Sequence, residues 1–409
     1  MNINEIYKKG TLVNNNLSYG ENNFAEGSNI IKNLVTKKEL ILIIEDKSLE
    51  STIAIISALL SKRNIILIDE LMAKIQINDL LKRFNPNAII GSKSCFNKLN
   101  IDISLNSKYF CIFKINNIRK RFKNDQPLLL VGTSGSSGAT KFVGLTHDNL
   151  LQNCKSICKY LGNNHNSISI NSLPCSYSYG LSVLNTTMYK GGKFIISNEK
   201  SFLRKEFWDD AKFYNITDFS GVPTTYKTLI NLDMNKLLPK TIIRITQAGG
   251  KLDIEIQKKL LILSRQRNCQ FFVMYGQTEA TARLSYINLT KEPHKIGSIG
   301  RVIPNVILMK PKKTNKNIEE ELIFKGKNIS LGYFNNITEL EDAIDQNKGI
   351  LKTGDLGFID KDNCITITGR KSRFCKIDGR RISLDSIEME LLKDFSNIAV
   401  VSNDEKLFI

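Results

Sequence analysis

Val131-Gly-Thr-Ser-Gly-Ser-Ser-Gly-Ala-Thr-Lys141 is the stretch on which the reading of this chain turns. It follows a short apolar run, Leu128–Val131, with the texture of a buried strand. From Gly132 to Gly138 every residue is Gly, Ser or Thr, and a cation, Lys141, closes the segment. Backbone N–H groups, hydroxyls and one lysine at a strand end can wrap a chain of phosphates with no bulk in the way. The segment is not the P-loop pattern, because no Gly-Lys-Ser/Thr is present. A solvated glycine loop has the same composition. The stretch alone therefore points to a nucleoside triphosphate without naming the chemistry.

Outward from this loop, strand and helix patterns alternate. Leu40–Ile44, Asn64–Ile68 and Asn87–Ile90 read as strands. Ser48–Leu60 and Leu71–Phe84 between them have helical apolar spacing. Downstream a helix is expected over Leu145–Leu161. A further round of strands and helices then runs to the strand Gln270–Tyr275. This order predicts an α/β fold with mostly parallel sheets covered by helices. After about Gly297 the texture changes to short strands with Gly turns, a small β-rich region. The basic, Asn-rich stretch Lys310–Asn317 reads as a hairpin loop.

With 58 Lys+Arg against 40 Asp+Glu, the formal charge is +18. The cations are spread along the chain, so a nucleic-acid partner is not expected, and a background bias toward Lys accounts for the excess. The 8 cysteines are scattered and include no CxxC, which predicts free buried thiols and a cytoplasmic protein. No signal peptide and no apolar run of membrane-spanning length is present.

Three further segments carry candidate chemistry. Met274-Tyr-Gly-Gln-Thr-Glu-Ala280 follows a strand. Tyr275 offers a stacking face, Gly276 a close backbone approach, Thr278 a hydroxyl and Glu279 a hard oxygen ligand for Mg²⁺. In Leu351-Lys-Thr-Gly-Asp-Leu-Gly-Phe358, Asp355 stands in a Gly-bracketed turn and can accept two ribose hydroxyls. Ile367–Ile382 packs cations between short strands, with Gly379 at a turn. A strand-to-helix turn, a β-turn and a basic hairpin are the plain alternatives for these three.

In this order and spacing the segments resemble the adenylate-forming superfamily of acyl-CoA synthetases, peptide-synthetase adenylation domains and luciferases. The family's loop, Ser/Thr-Ser-Gly-Ser/Thr-Thr-Gly-x-Pro-Lys-Gly, is matched over Thr133–Phe142, with Thr140 in place of proline and Phe142 in place of the last glycine. Tyr-Gly-x-Thr-Glu is complete at Tyr275–Glu279, and Thr-Gly-Asp-Leu-Gly at Thr353–Gly357. Gly-Arg-x(5)-Lys-x(2)-Gly is complete across Gly369, Arg370, Lys376 and Gly379. The resemblance covers about Leu17 to Ile409. It implies a large N-terminal AMP-binding domain over 1–371, built of stacked, mostly parallel sheets flanked by helices. Within it lies a small β-rich subdomain over about 297–368. A C-terminal α+β subdomain begins at 372.

The resemblance implies ATP-dependent activation of a carboxylic acid to an acyl-adenylate, followed by transfer to a thiol of coenzyme A or of carrier-protein phosphopantetheine. Thr133, Ser134, Gly135, Ser136, Ser137, Gly138 and Lys141 would then grip the β- and γ-phosphates. Thr278 would touch the α-phosphate and Glu279 would hold Mg²⁺. Gly249, Gly250, Lys251, Tyr275 and Gly276 would enclose the adenine, and Asp355 with Arg370 would hold the ribose. Tyr177, Ser178, Gly180 and Gly221 would line the acyl pocket. Ser178 stands where amino-acid-activating members carry Asp, which argues for an acid without an α-amino group. Ser372 falls at the hinge, where Asp or Lys is usual, and Gly379 on the hairpin lining the thiol tunnel. The family's C-terminal subdomain continues well past the hinge to a lysine that meets the acyl carboxylate. This sequence ends at Ile409, soon after Ser372. The expectation is a truncated chain, a partner supplying the rest, or a nucleotide- or acyl-adenylate-binding protein with little turnover. An acyl carrier protein is the other expected partner.

Overall fold

The computed structural model describes the chain apart from residues 1, 38, 116–127, 134–139, 312–318, 378–379, 392–394, 396–397, 403–406 and 409. Two large sheets share one core. The first has eight strands. Its centre is parallel, from Leu128–Thr133 through Asn64–Asp69 and Leu40–Glu45 to Ala88–Gly91. Antiparallel strands close both edges: Lys141–Thr146 and Gly332–Tyr333 on one side, Cys111–Lys114 and Leu105–Asn106 on the other.

The second sheet has nine strands. Gln270–Tyr275, Arg244–Gln247, Asp218–Gly221, Ile168–Ile170, Lys193–Ile195 and Thr11–Asn14 run parallel. Antiparallel strands again flank this centre. Strands buried on both faces need apolar residues at every position, and Leu40-Ile-Leu-Ile-Ile-Glu45 is buried throughout. Successive side chains part to opposite faces. Ile41 and Ile43 join the core shared with the second sheet, whereas Leu40, Leu42 and Ile44 pack under an outer layer. Helices Leu49–Ser61, His147–Leu161 and Ser178–Tyr189 contribute to that shared core.

The expected alternation is present. Two of its helices are Leu49–Ser61 and Glu70–Phe84. One boundary differs. The helix expected from Leu145 starts at His147, and Lys141–Thr146 is a strand that pairs antiparallel with Leu128–Thr133, Thr133 opposite Lys141. Thr146 sets the break. Its hydroxyl accepts the Asn149 N–H, and the Asn149 side chain accepts the Thr146 N–H, a reciprocal cap that fixes where the helix begins.

The β-rich region is a four-stranded antiparallel sheet of Val306–Lys310, Glu320–Gly326, Ile350–Ile359 and Ile365–Arg370. Beyond it the chain forms a hairpin of Phe374–Ile377 with Arg380–Ser383, a helix Leu384–Leu391, and a short ladder of Val401–Ser402 with Leu407–Phe408. Among the described residues seven cysteines are buried free thiols. Among the described residues no helix is long and apolar enough to cross a membrane.

Candidate active site

The carboxyl ends of the parallel strands open into a cleft of about 1690 Å³. In open α/β sheets this is where ligands bind. Gly132, Thr133 and Lys141 reach it from the first sheet. Gly249, Gly250, Lys251 and Tyr275–Glu279 reach it from the second. Asp355, Arg370 and Ser372 come from the four-stranded sheet and its exit. Tyr177 and Ser178 stand at the start of the helix Ser178–Tyr189. Widely separated motifs thus converge on one space. Ser134, Gly135, Ser136, Ser137, Gly138 and Gly379 lie outside the described residues.

Strand Gln270–Tyr275 is carried through the core by its apolar run and stops at Gly276. A Cβ at position 276 would lie 1.9 Å from the Ala282 carbonyl oxygen, so the chain can double back only with glycine there. A single 3₁₀ turn, Thr278–Ala280, follows. It ends at Thr281, a β-branched residue held at φ +67°, with its hydroxyl donating to the Asn328 carbonyl at 2.7 Å. That costly conformation aims Thr278 and Glu279 at the cleft. The Thr278 and Ser178 hydroxyl oxygens lie 3.3 Å apart. Glu279 accepts the Tyr333 hydroxyl, and Lys141 Nζ stands 5.9 Å from the centre of the same ring. Burial first, and then the hydrogen bond to Glu279, push the Tyr333 phenol upward.

Asp355 and Arg370 are direct cross-strand partners. Asp355 is 3% exposed, and its two oxygens are well supplied with donors. Arg370 Nε reaches Oδ1 at 2.6 Å. The Tyr275 hydroxyl and the Gln277 amide reach Oδ2 at 2.5 and 3.0 Å. Burial, and then the Asp355 charge, hold the Tyr275 phenol protonated and donating. Gly249 takes φ +83°, and a Cβ there would stand 2.2 Å from the Tyr177 hydroxyl oxygen. Glycine at 249 therefore lets the Gly249–Gly250 segment close against Tyr177.

Two expected pocket residues are not on the surface of the cleft. Gly180 and Gly221 are buried behind it. Gly180 lies against the Pro174 carbonyl and Gly221 against Thr225 and Tyr226, so tight packing rather than ligand contact explains the small residues. Three side chains in the site escaped the sequence reading. Gln277 was the variable position of its motif, Tyr333 followed a turn glycine, and Arg283 belonged to no motif. Among the described residues no three His, Cys, Asp or Glu converge on a metal site. A cation here would have Glu279 plus ligand oxygens and water, the donor set that suits Mg²⁺.

The sequence model of the AMP-binding enzyme family matches residues 30–334. The 2-succinylbenzoate–CoA ligase of Staphylococcus epidermidis is 27% identical over 278 residues, 68% of this chain and 56% of that protein. The D-alanine–D-alanyl carrier protein ligase of Listeria monocytogenes is 24% identical over 408 residues, 94% of this chain and 79% of that protein. The chain thus spans little more than half of the first relative. Among solved structures, o-succinylbenzoate CoA synthetase from Bacillus subtilis, in complex with its acyl-adenylate intermediate, superposes with a TM-score of 0.74 at 20% identity. The match covers 98% of this chain and 83% of that one.

Proposed function

This chain belongs to the AMP-binding enzyme family, and from that premise we propose that it joins a carboxylic acid to a thiol through an acyl-adenylate. One observation carries the reading. Lys141, the Thr278–Glu279 turn and the Asp355–Arg370 pair line a single cleft, in the order that a triphosphate, an α-phosphorus and a ribose require. The relatives' names, a CoA ligase and a carrier-protein ligase, support the same class of reaction.

In the proposed first step the acid attacks the α-phosphorus of ATP and pyrophosphate leaves. The nucleophile is a carboxylate, ionised at neutral pH, so no general base is needed. The barrier is one anion approaching another, and the protein's contribution is positioning and charge neutralisation. Lys141 and Thr133 hold the departing phosphates, and Thr278 steadies the α-phosphate. Asp355 and Arg370 fix the ribose, while Gly249, Gly250 and Tyr275 enclose the base. Glu279 would hold Mg²⁺, which supplies charge neutralisation to the phosphates when bound. In the second step a thiol of coenzyme A or of phosphopantetheine displaces AMP. Residues 1–371 form the nucleotide domain and Ser372 marks the hinge to the segment that follows.

ATP–pyrophosphate exchange with a panel of carboxylic acids tests this. Exchange dependent on a particular acid is expected. Bound ATP with no exchange for any acid would replace the ligase reading by nucleotide binding alone. Exchange only with amino acids would overturn the reading of Ser178. Adding coenzyme A or a loaded carrier protein to the active mixture identifies the acceptor.

A further inference from the structure

Arg283 is a cation in the acyl half of the cleft that no carboxylate among the described residues neutralises. It lines the cleft yet is 3% exposed. Its surroundings are apolar and aromatic: Leu173, Tyr179, Ala248, Phe272 and Met274 form one cluster there, with Tyr160 and Tyr177 against it. The guanidinium carbon lies 4.1 Å from the centre of the Tyr179 ring. Nη1 donates to the Ala282 carbonyl at 3.0 Å, whereas Nε–H is buried with no acceptor. Among the described residues no carboxylate pairs with this guanidinium. The residue is nevertheless firmly placed, because its own carbonyl accepts the Asn153 and Asn328 amides at 3.2 and 2.9 Å. The charge reaches the pocket walls: burial raises the Tyr160, Tyr177 and Tyr179 phenols, and Arg283 pulls each of them the other way.

A buried cation without a counter-ion is expensive, and an arginine serving only the fold would be paired. The ring face beneath it recovers a part of that cost. The remaining donors suit an oxyanion, since a guanidinium edge matches a carboxylate in a two-point contact. The neighbouring pocket side chains Tyr177, Ser178 and Tyr179 bring no carboxylate, so the pocket does not complement an ammonium group. We propose that the acid activated here carries a second anionic group, a carboxylate at the far end of its chain, and that Arg283 receives it. The inference rests on the adenylate-forming reading and narrows its substrate class to dicarboxylic acids.

Calorimetric titration of the full chain with two acyl-sulfamoyl adenosines tests this without requiring turnover. One analogue ends in a carboxylate and the other in a methyl group, at matched chain length, across a short ladder of lengths. The carboxylate analogue should bind at least about tenfold tighter at its best length, the effect of one charge-assisted contact. Arg283→Met should abolish that preference, and Arg283→Lys should keep part of it. Equal affinities in the unsubstituted chain overturn the inference and leave the adenylation reading standing. They would mean that Arg283 serves the reacting carboxylate or the α-phosphate instead. If neither analogue binds, both readings fall. The comparison within the unsubstituted chain decides the matter even if a variant fails to fold.

Discussion

Asp355 shows how much of this site depends on single side chains. Its buried carboxylate gathers Arg370 from the facing strand, Tyr275 from the end of strand Gln270–Tyr275 and Gln277 from the turn after it. Asp355→Asn keeps the shape and removes the charge that Arg370 pairs with. We expect the KM for ATP to rise about tenfold or more, the effect of losing charge-assisted contacts to a ligand. The KM for the acid should barely move. Steady-state exchange kinetics measure both, and equal rises would remove Asp355 from the ribose site. Gly276 is more demanding, since a methyl group there meets the Ala282 carbonyl, backbone against backbone. Gly276→Ala should cost more than about 3 kcal/mol, in the range of forced backbone strain. Urea unfolding would show it, and an unchanged midpoint would mean that the turn relaxes freely. At this scale the sequence announced which segments meet: residues of Tyr275–Glu279 and of Thr353–Gly357 line the same cleft. Arg283, Gln277 and Tyr333 were not readable. Their roles arise only when strands from distant segments come into register.

Elements were legible in kind more than in extent. The apolar run Phe142-Val-Gly-Leu145 fits a strand or the first turn of a helix equally well, and only the Thr146 cap separates them. That cap also places His147 at the first helical position, with Nε2 enclosed and without a partner. Burial, and then the Lys62 charge, lower its pKa to about 4 from the ordinary 6.5. The positive end of the helix dipole acts in the same direction. The imidazole is therefore neutral in the folded chain at neutral pH. As pH falls below 6.5 the unfolded chain takes up a proton that the folded chain refuses, so stability is lost down to about pH 4 and levels off beneath it. The loss is at most about 3 kcal/mol, and less because the side chain is only partly enclosed. Unfolding midpoints at pH 7 and pH 5 should converge in His147→Gln relative to the unsubstituted chain. Identical pH dependence in both would clear His147 of this role.

Across the whole molecule, the site exists because three sheets end at one place. The alternation of strand and helix announced parallel sheets, but a strand apolar on both faces carries little mark of its neighbour. Thr11–Asn14 thus pairs beside Lys193–Ile195 from far along the sequence, with nothing in either segment to say so. The same convergence makes the fold sensitive to what fills the cleft, since a nucleotide touching Lys141, Tyr275 and Asp355 would tie all three sheets together. A ligand present at a hundred times its Kd, binding only the folded chain, stabilises it by about 2.7 kcal/mol. In a chain of this length that is a Tm rise of about 3 °C. AMP should deliver its share through the Asp355 and Tyr275 end of the cleft. ATP with Mg²⁺ should add an increment through Lys141 and Glu279. Lys141→Ala should erase the ATP increment and leave the AMP shift intact, because its exposed side chain carries little of the core. Scanning calorimetry with each nucleotide reads both shifts. If ATP and AMP stabilise the chain equally, and Lys141→Ala changes neither, the β- and γ-phosphates are held elsewhere and the glycine loop loses its assigned role.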